Sequence, residues 1–281
     1  MPSRILWRFE LGLLTCRRNT RILVAFITSH ADKRGVGEGG TVTDDSPARG
    51  LQEELSAFWS SRPGSKPAGT MEVRNEEEHQ AWMDSLRHFL PPQPVDALDV
   101  GTGQGFLALL LADFGHRVTG VDTAEGMVEA ARAHAVGSSN PPEFRLGNAI
   151  DPPLGPASVD IVSNRQVVWT LLDPVKAFSN WLALLRPGGL LLSVHLRQNN
   201  PSTGSQYSDA VKDLLPALPI DSTGIIKATR ADRIYPDAVA QLARETGFVD
   251  VKLTSLEAVD RYEESIDTDR RWLVLTGRKP S

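Results

Sequence analysis

Hydrophobic positions along the chain change their period several times, and each change marks an element. Ser46-Pro47 has the form of an N-cap followed by proline at the first helical position, and Leu51, Leu55, Phe58 and Trp59 then recur at helical spacing. A second helix is expected from Asn75, with three glutamates at its positive end and Trp82, Leu86, Phe89 and Leu90 on one side, until Pro91-Pro92 stops it. Beyond Pro94 short β-like runs alternate with helix-period segments, as in a parallel sheet covered on both faces. The runs are 95–100, 117–122, 143–147, 159–164 and 190–196, with helices after the first, second and fourth, the last over 173–185. After a long insertion a helix at 236–246 ends at Gly247, and VDVKLTSL and RWLVLTGRK close the chain as two strands. No room for a helix is expected between them, so the last pair should be antiparallel. The sum is an α/β fold: a doubly wound, seven-stranded, mostly parallel sheet with an antiparallel last strand, flanked by helices.

Residues 1–31 do not share this pattern. They hold five of the 30 basic residues and one of the 35 acidic ones, so the remainder is more acidic than the overall net charge of −5 implies. With the Gly-rich stretch GVGEGGTVTDD, residues 1–45 are expected to be a poorly ordered extension and linker, and 46–281 a single domain. An acidic body repels phosphate backbones, which argues against a nucleic-acid partner. The longest apolar run, Phe106–Ala112, falls far short of the roughly 20 residues that span a bilayer, so no membrane insertion is expected. The lone Cys16 can form no internal disulfide and no multi-thiolate site, which fits a reducing compartment and a cytoplasmic location.

The chemistry concentrates after the first strand, where VDALDV runs into Gly101-Thr102-Gly103-Gln104-Gly105 and then a helix. Small residues there let the backbone approach a ligand at the carboxyl edge of the sheet. Asp122, closing the next strand, can accept two hydrogen bonds from a ribose diol. A nucleoside-containing ligand is implied. The dinucleotide fingerprint would need a third glycine where Phe106 stands, and bulky Phe106-Leu107 at the helix start suits a pyrophosphate poorly. Asp99, one residue before the strand's end, suits an ammonium group better than a phosphate. These features favour S-adenosylmethionine over a polyanionic cofactor, with an NAD(P)-binding oxidoreductase and a noncatalytic cofactor-binding module as the alternatives.

The segments LDVGTGQG, GHRVTGVD, RLGNA, NRQVVWTLLDP and LLRPGGLLL make the chain similar to the class I S-adenosylmethionine-dependent methyltransferases, in particular the small-molecule branch with the ubiquinone/menaquinone-type enzymes. That resemblance implies a Rossmann-like sheet and a small-molecule methyl acceptor. By it, Asp99, Gly101, Thr102, Gly103 and Gly105 surround the methionine moiety and Asp122 the ribose. Thr123 and Met127 lie on the adenine side, Asn148-Ala149 along the adenine edge, and Asn164-Arg165 beneath the cofactor. Two departures stand out: Asn148 replaces the family's usual Asp, and the segment Trp59-x-x-Arg62 lacks the Tyr that often follows in the family's lid.

Acceptor contacts are expected from Trp169, after the fourth strand, from His195, at the end of the fifth, and from Tyr207 in the insertion. The helices of 46–92 and the stretch 197–232 are expected to form a lid and cap that select the acceptor and exclude water. His79 with Glu76, Glu77 and Glu78 reads as a solvated capping cluster, because only three- and four-residue spacings share a helix face, and no metal is expected. Methyl transfer is an in-line displacement at an activated carbon, so the protein chiefly aligns the reactants. O, N, C and S acceptors, the general base and the oligomeric state stay open at this stage.

Overall fold

In the computed structural model the described residues are 47–61, 75–198, 235–264 and 270–281, all within the compact unit Asp44–Ser281. Two helices come first, α1 (Pro47–Ser60) and α2 (Glu76–Leu86), followed by β1 (Asp96–Val100), α3 (Phe106–Asp113), β2 (Arg117–Asp122), α4 (Glu125–His134), β3 (Glu143–Leu146) and β4 (Val159–Arg165). Then come α5 (Pro174–Leu184), β5 (Leu185–Gln198), α6 (Tyr235–Glu245), β6 (Val249–Ser255), α7 (Glu257–Glu264) and β7 (Arg270–Arg278). The strands form one seven-stranded sheet in the order β3-β2-β1-β4-β5-β7-β6, parallel except for β7, which is antiparallel to both neighbours.

Alternation along the strands sorts the core into two layers. Ala97, Ile161, Leu190, Leu192, Val194, Trp272 and Val274 face α2, α3, α4 and α7, while Leu98, Val100, Val162, Leu191 and Leu275 face α5 and α6. α2 starts where the Asn75 side chain accepts from the Glu78 N–H at 2.9 Å, and α5 where Asp173 does the same for Lys176 at 2.9 Å. At the amino edge of the sheet, Asp96 takes Arg117 at 2.8 Å and Arg186 at 3.1 Å, and Arg186 reaches Asp160 at 2.6 Å. Chiefly through the hydrogen bond from Arg117, these contacts hold the Asp96 carboxyl below its ordinary range. The network ties β1, β2, β4 and β5 together away from the carboxyl edge.

One expectation is corrected. A helix, α7, does lie between the last two strands, although they pair antiparallel as expected. Its eight residues are mostly charged, so the apolar signal shrinks to Leu256 and Val259, one turn apart and buried beside α2. Eight residues rise only about 12 Å, and the helix therefore fits in the connection without crossing the sheet. The buried Asp260 carboxylate accepts the Trp272 N–H at 2.6 Å and pins α7 to β7. β5 opens at Leu185, before the RPGG segment: Leu185 pairs with Val159, and the register then jumps to Ile161 opposite Leu190. Gly188, at φ +75°, lets the intervening residues loop out. α2 ends at Leu86, and Phe89 and Leu90 pack on the core beyond it. Among the described residues no helix is long and apolar enough to cross a membrane.

Candidate functional site

The site is built where β1 ends. Gly101, Gly103 and Gly105 take φ of +61°, +55° and +89°, a left-handed sequence that side-chain-bearing residues resist. At Gly101 a Cβ would also stand 2.5 Å from Val167 Cγ2, so the loop could not lie down on the segment after β4. The loop is then fastened on two sides. The Thr102 N–H donates to the Val121 carbonyl and the Gly103 N–H to Asp122 Oδ2, both at 2.9 Å. Beneath it, Asp99 accepts from the Thr102 hydroxyl and the Ser163 hydroxyl, each at 2.7 Å. Asp99 is 1% exposed, and this burial pushes its carboxyl up to about 6.

Asp122 ends β2 and also accepts from the Ala124 N–H at 2.9 Å. Burial raises its pKa against the pull of these backbone donors. The carboxylate takes backbone donors from Ala124, Gly103 and Thr123, and with about four lone-pair sites it retains capacity for an incoming donor such as a ribose hydroxyl. Next along the same edge, the Gly147 N–H bonds the Asp122 carbonyl at 2.9 Å and brings Asn148-Ala149 beside it. Asn148 Oδ1 accepts the Ile150 N–H at 2.8 Å, and the Ala149 carbonyl accepts the Trp181 indole N–H at 2.7 Å. Thr123 is half-buried, and Met127, on α4, is buried. These residues of β1, β2 and the loop after β3 therefore gather at the carboxyl edge of the parallel strands.

Asn164 and Arg165 close β4 and point to opposite faces of the sheet. Asn164 Oδ1 accepts from the Ser193 hydroxyl at 2.7 Å, and Ser193 Oγ lies 2.9 Å from His195 Nε2. A hydroxyl has one proton, so with Ser193 donating to Asn164 the imidazole must donate from Nε2. His195 is fully buried, and desolvation lowers its pKa to about 3, leaving the ring neutral. On the other face the Arg165 guanidinium lies 4.2 Å from the Phe106 ring centroid, 4.7 Å from that of Trp272 and 5.7 Å from that of Trp82. Trp169 sits in the short 3-10 helix Val168–Thr170 and meets Trp59 of α1 edge-on at 6.2 Å. Gly126 lets α1 approach, because a Cβ there would collide with the Ser60 carbonyl.

His79 pairs with Asp113 at 2.8 Å, from α2 to α3, and among the described residues no cluster of three or more ligating side chains could hold a metal ion. Arg62, Tyr207 and most of the expected cap at 197–232 lie outside the described residues, as does the extension 1–45. Sequence reasoning missed Ser163, Ser193 and the aromatic set around Arg165. A signal for the two serines was present, since each is a polar residue inside an apolar strand that must be hydrogen-bonded once buried. The rings around Arg165 come from three distant segments and left none.

A family model described as "Methyltransferase domain" matches residues 98–193, from the strand before the glycine loop to the middle of β5. The ubiquinone biosynthesis O-methyltransferase of Thiobacillus denitrificans is 29% identical over 207 residues, which is 70% of this chain and 83% of that protein. A probable S-adenosylmethionine-dependent methyltransferase of Mycolicibacterium smegmatis is 40% identical over 97 residues, 34% of this chain and about a third (36%) of that protein's length. Among solved structures, the geranyl diphosphate C-methyltransferase of Streptomyces coelicolor superposes with a TM-score of 0.52 at 17% identity, covering 83% of this chain and all of that one. Phosphoethanolamine N-methyltransferase 2 of Haemonchus contortus does so with a TM-score of 0.51 at 18% identity, over 85% of this chain and 58% of that one. These two show a shared fold. With the glycine loop, the acid closing β2 and the sheet order in place, the chain carries a methyltransferase domain and is similar to the class I S-adenosylmethionine-dependent methyltransferases.

Proposed function

We propose that the protein methylates a small-molecule acceptor held over the carboxyl edge of the sheet, beside the glycine loop. The observation that carries this reading is the double fastening of that loop, to Asp99 below and Asp122 beside it, which presents backbone and carboxylate to a nucleoside ligand. A dinucleotide is disfavoured by Phe106, 6% exposed, at the first position of α3 where a pyrophosphate would need open N–H groups. S-adenosylmethionine, when bound, supplies the electrophilic methyl carbon.

The residues divide the remaining work. Asp122 takes the ribose hydroxyls, with Thr123, Met127 and Asn148-Ala149 along the adenine. Gly101 to Gly105 lie along the methionine chain, and Asp99 keeps the loop in place while offering negative charge to a cationic ligand. Asn164 and Arg165 form the floor beyond the loop, and Trp169 with the neutral His195 forms the wall nearest the acceptor. His195, pushed down to about 3, is a poor proton acceptor and serves as a fixed hydrogen-bonding group. A small-molecule acceptor is supported by the acidic composition and by the name of the Thiobacillus denitrificans relative. The experiment is incubation of the full chain with methyl-labelled S-adenosylmethionine and a metabolite extract. Label should pass to a low-molecular-weight product, and transfer only to protein or nucleic acid would overturn the reading.

A further inference from the structure

We propose that Asn164 holds the methyl acceptor through an oxygen atom, by a carboxamide N–H, so that the substrate class is a small molecule with a carbonyl, hydroxyl or oxyanion oxygen at or beside the methylated atom. Ser193 and His195 are positioning residues that set the direction of that carboxamide. The inference rests on the methyltransferase reading above and concerns the acceptor side of the same site. Asn164 is the next-to-last residue of β4, at the carboxyl edge, and is fully buried. β4 lies between β5 and β1, the strand that runs into the glycine loop. Asn164 is paired with Ser193 of β5 across the sheet, and their side chains meet on one face.

A carboxamide is planar, with an accepting arm and a donating arm. The accepting arm of Asn164 is turned to β5, where Oδ1 takes the Ser193 hydroxyl at 2.7 Å, so the donating arm is turned away from β5. Its Nδ2 is buried and has no hydrogen-bond partner among the described residues. A buried amide donor is normally satisfied, and this one stands at the edge of the sheet where ligands of such folds bind. Its polarity is set from behind. Ser193 gives its one proton to Asn164, and the His195 ring, 2.9 Å away, donates from Nε2 into the serine oxygen, which leaves N–H and not C=O on the outward arm. Such an arm can meet an oxygen lone pair and cannot meet an ammonium group. The chain leaving Asn164 also packs on the glycine loop at once, since Val167 is the side chain that a Cβ on Gly101 would strike, and it then carries Trp169. One short stretch thus joins the donor, the loop contact and the proposed acceptor wall.

The test follows label from saturating methyl-labelled S-adenosylmethionine into a dilute metabolite extract, with the full chain, so that rates report capture of the acceptor. The labelled product, identified by mass spectrometry and NMR, should carry an oxygen on or next to the methylated atom, and a product with none overturns the proposal. Asn164→Asp keeps an oxygen for Ser193 but puts another where the N–H stood, and should slow transfer at least about tenfold. Ser193→Ala should slow it about threefold to tenfold, and this cost should vanish in an Asn164→Ala background, because the serine acts through the amide. That cycle carries the test if Asn164→Asp folds poorly. Additive losses would make both residues structural, and recovery of the Asn164 variants at still higher S-adenosylmethionine would assign the amide to the cofactor; either result overturns the proposal. A readout without turnover is the side-chain amide NMR signal of Asn164, assigned by its absence in Asn164→Asp. On the chain loaded with S-adenosylhomocysteine it should shift with 4-nitrophenolate and stay in place with benzylammonium; equal shifts, a shift with benzylammonium alone, or none with either would overturn the proposal. If the wild type passes no label to a small molecule, the methyltransferase reading falls, and the amide signal still decides the donor assignment.

Discussion

At the scale of single residues, Asp99 and Asp122 share a chemistry and differ in task. Asp122 keeps lone pairs for a ligand, so Asp122→Ala should weaken S-adenosylhomocysteine binding by roughly tenfold to a hundredfold, as expected for losing charge-assisted bonds of about 1.5 to 3 kcal/mol. Calorimetry on both forms checks this. Asp99 is spent on Thr102 and Ser163, and its folded-state pKa of about 6 exceeds the ordinary value of 3.8. The folded protein thus holds a proton that the unfolded chain releases between these values. Its contribution therefore becomes more favourable as pH falls through that window, and the full penalty of a buried charge stands above pH 6. Asp99→Asn can keep both hydroxyl partners, one through its carbonyl and one through its amide N–H. It should melt higher than the wild type at pH 8, by an amount on the order of 2 kcal/mol, and the gap should close by pH 4. An unchanged gap would assign Asp99 a different ionisation.

Elements carry the next set of constraints, and the clearest is α1. It buries Leu55, meets α4 at Gly126 and delivers Trp59 to Trp169. Gly126→Ala would press a methyl group into the Ser60 carbonyl, and backbone cannot yield as a side chain can. The expected result is displacement of α1 with loss of the Trp59–Trp169 contact, seen as a shift in tryptophan emission, and a small drop in melting temperature. α5 acts at longer reach. Its Trp181 fixes the Ala149 carbonyl, so Trp181→Phe should cost about 1 kcal/mol in stability and loosen the segment Asn148–Ile150, read as faster hydrogen exchange there. The helices and strands on which these contacts depend were largely legible from the spacing of apolar residues. α7 was not, because a single turn of apolar contact on a charged segment is too weak a pattern.

For the whole molecule, acid stability depends on groups that oppose one another. His195, pushed down to about 3, is neutral in the fold, and burial lowers His116 as well, while the unfolded chain takes protons below the ordinary 6.5. Their contribution is lost as pH falls below that value, whereas that of Asp99 grows from about 6 downward. The two trends partly cancel between pH 6 and 4. In His195→Gln the Asp99 trend meets less opposition, so its melting temperature relative to the wild type should become more favourable as pH falls from 7 to 4. A constant difference would show that His195 is not buried neutral. The amino-edge network of Asp96, Arg117, Asp160 and Arg186 is partly exposed and should add little, in line with screened surface pairs.

The succession of strands along the chain, the glycine loop and the acid after β2 could be read from the chain because each is local. Period two or 3.6 records burial within one element, and a left-handed turn leaves its glycines in sequence. Asp99 and Asp122 were found as candidates for the same reason, each ending or nearly ending a strand. What each carboxylate bonds is another matter. Ser163 lies 64 positions from Asp99 and meets it only because β1 and β4 are neighbours in the sheet. Trp82, Phe106 and Trp272 surround Arg165 only because α2, α3 and β7 pack on one face. Sequence determined which side chains lie at the carboxyl edge, since strand ends are written locally. Tertiary structure decided their charge states and partners, because desolvation and close contact are set by whatever distant segments the fold brings against them.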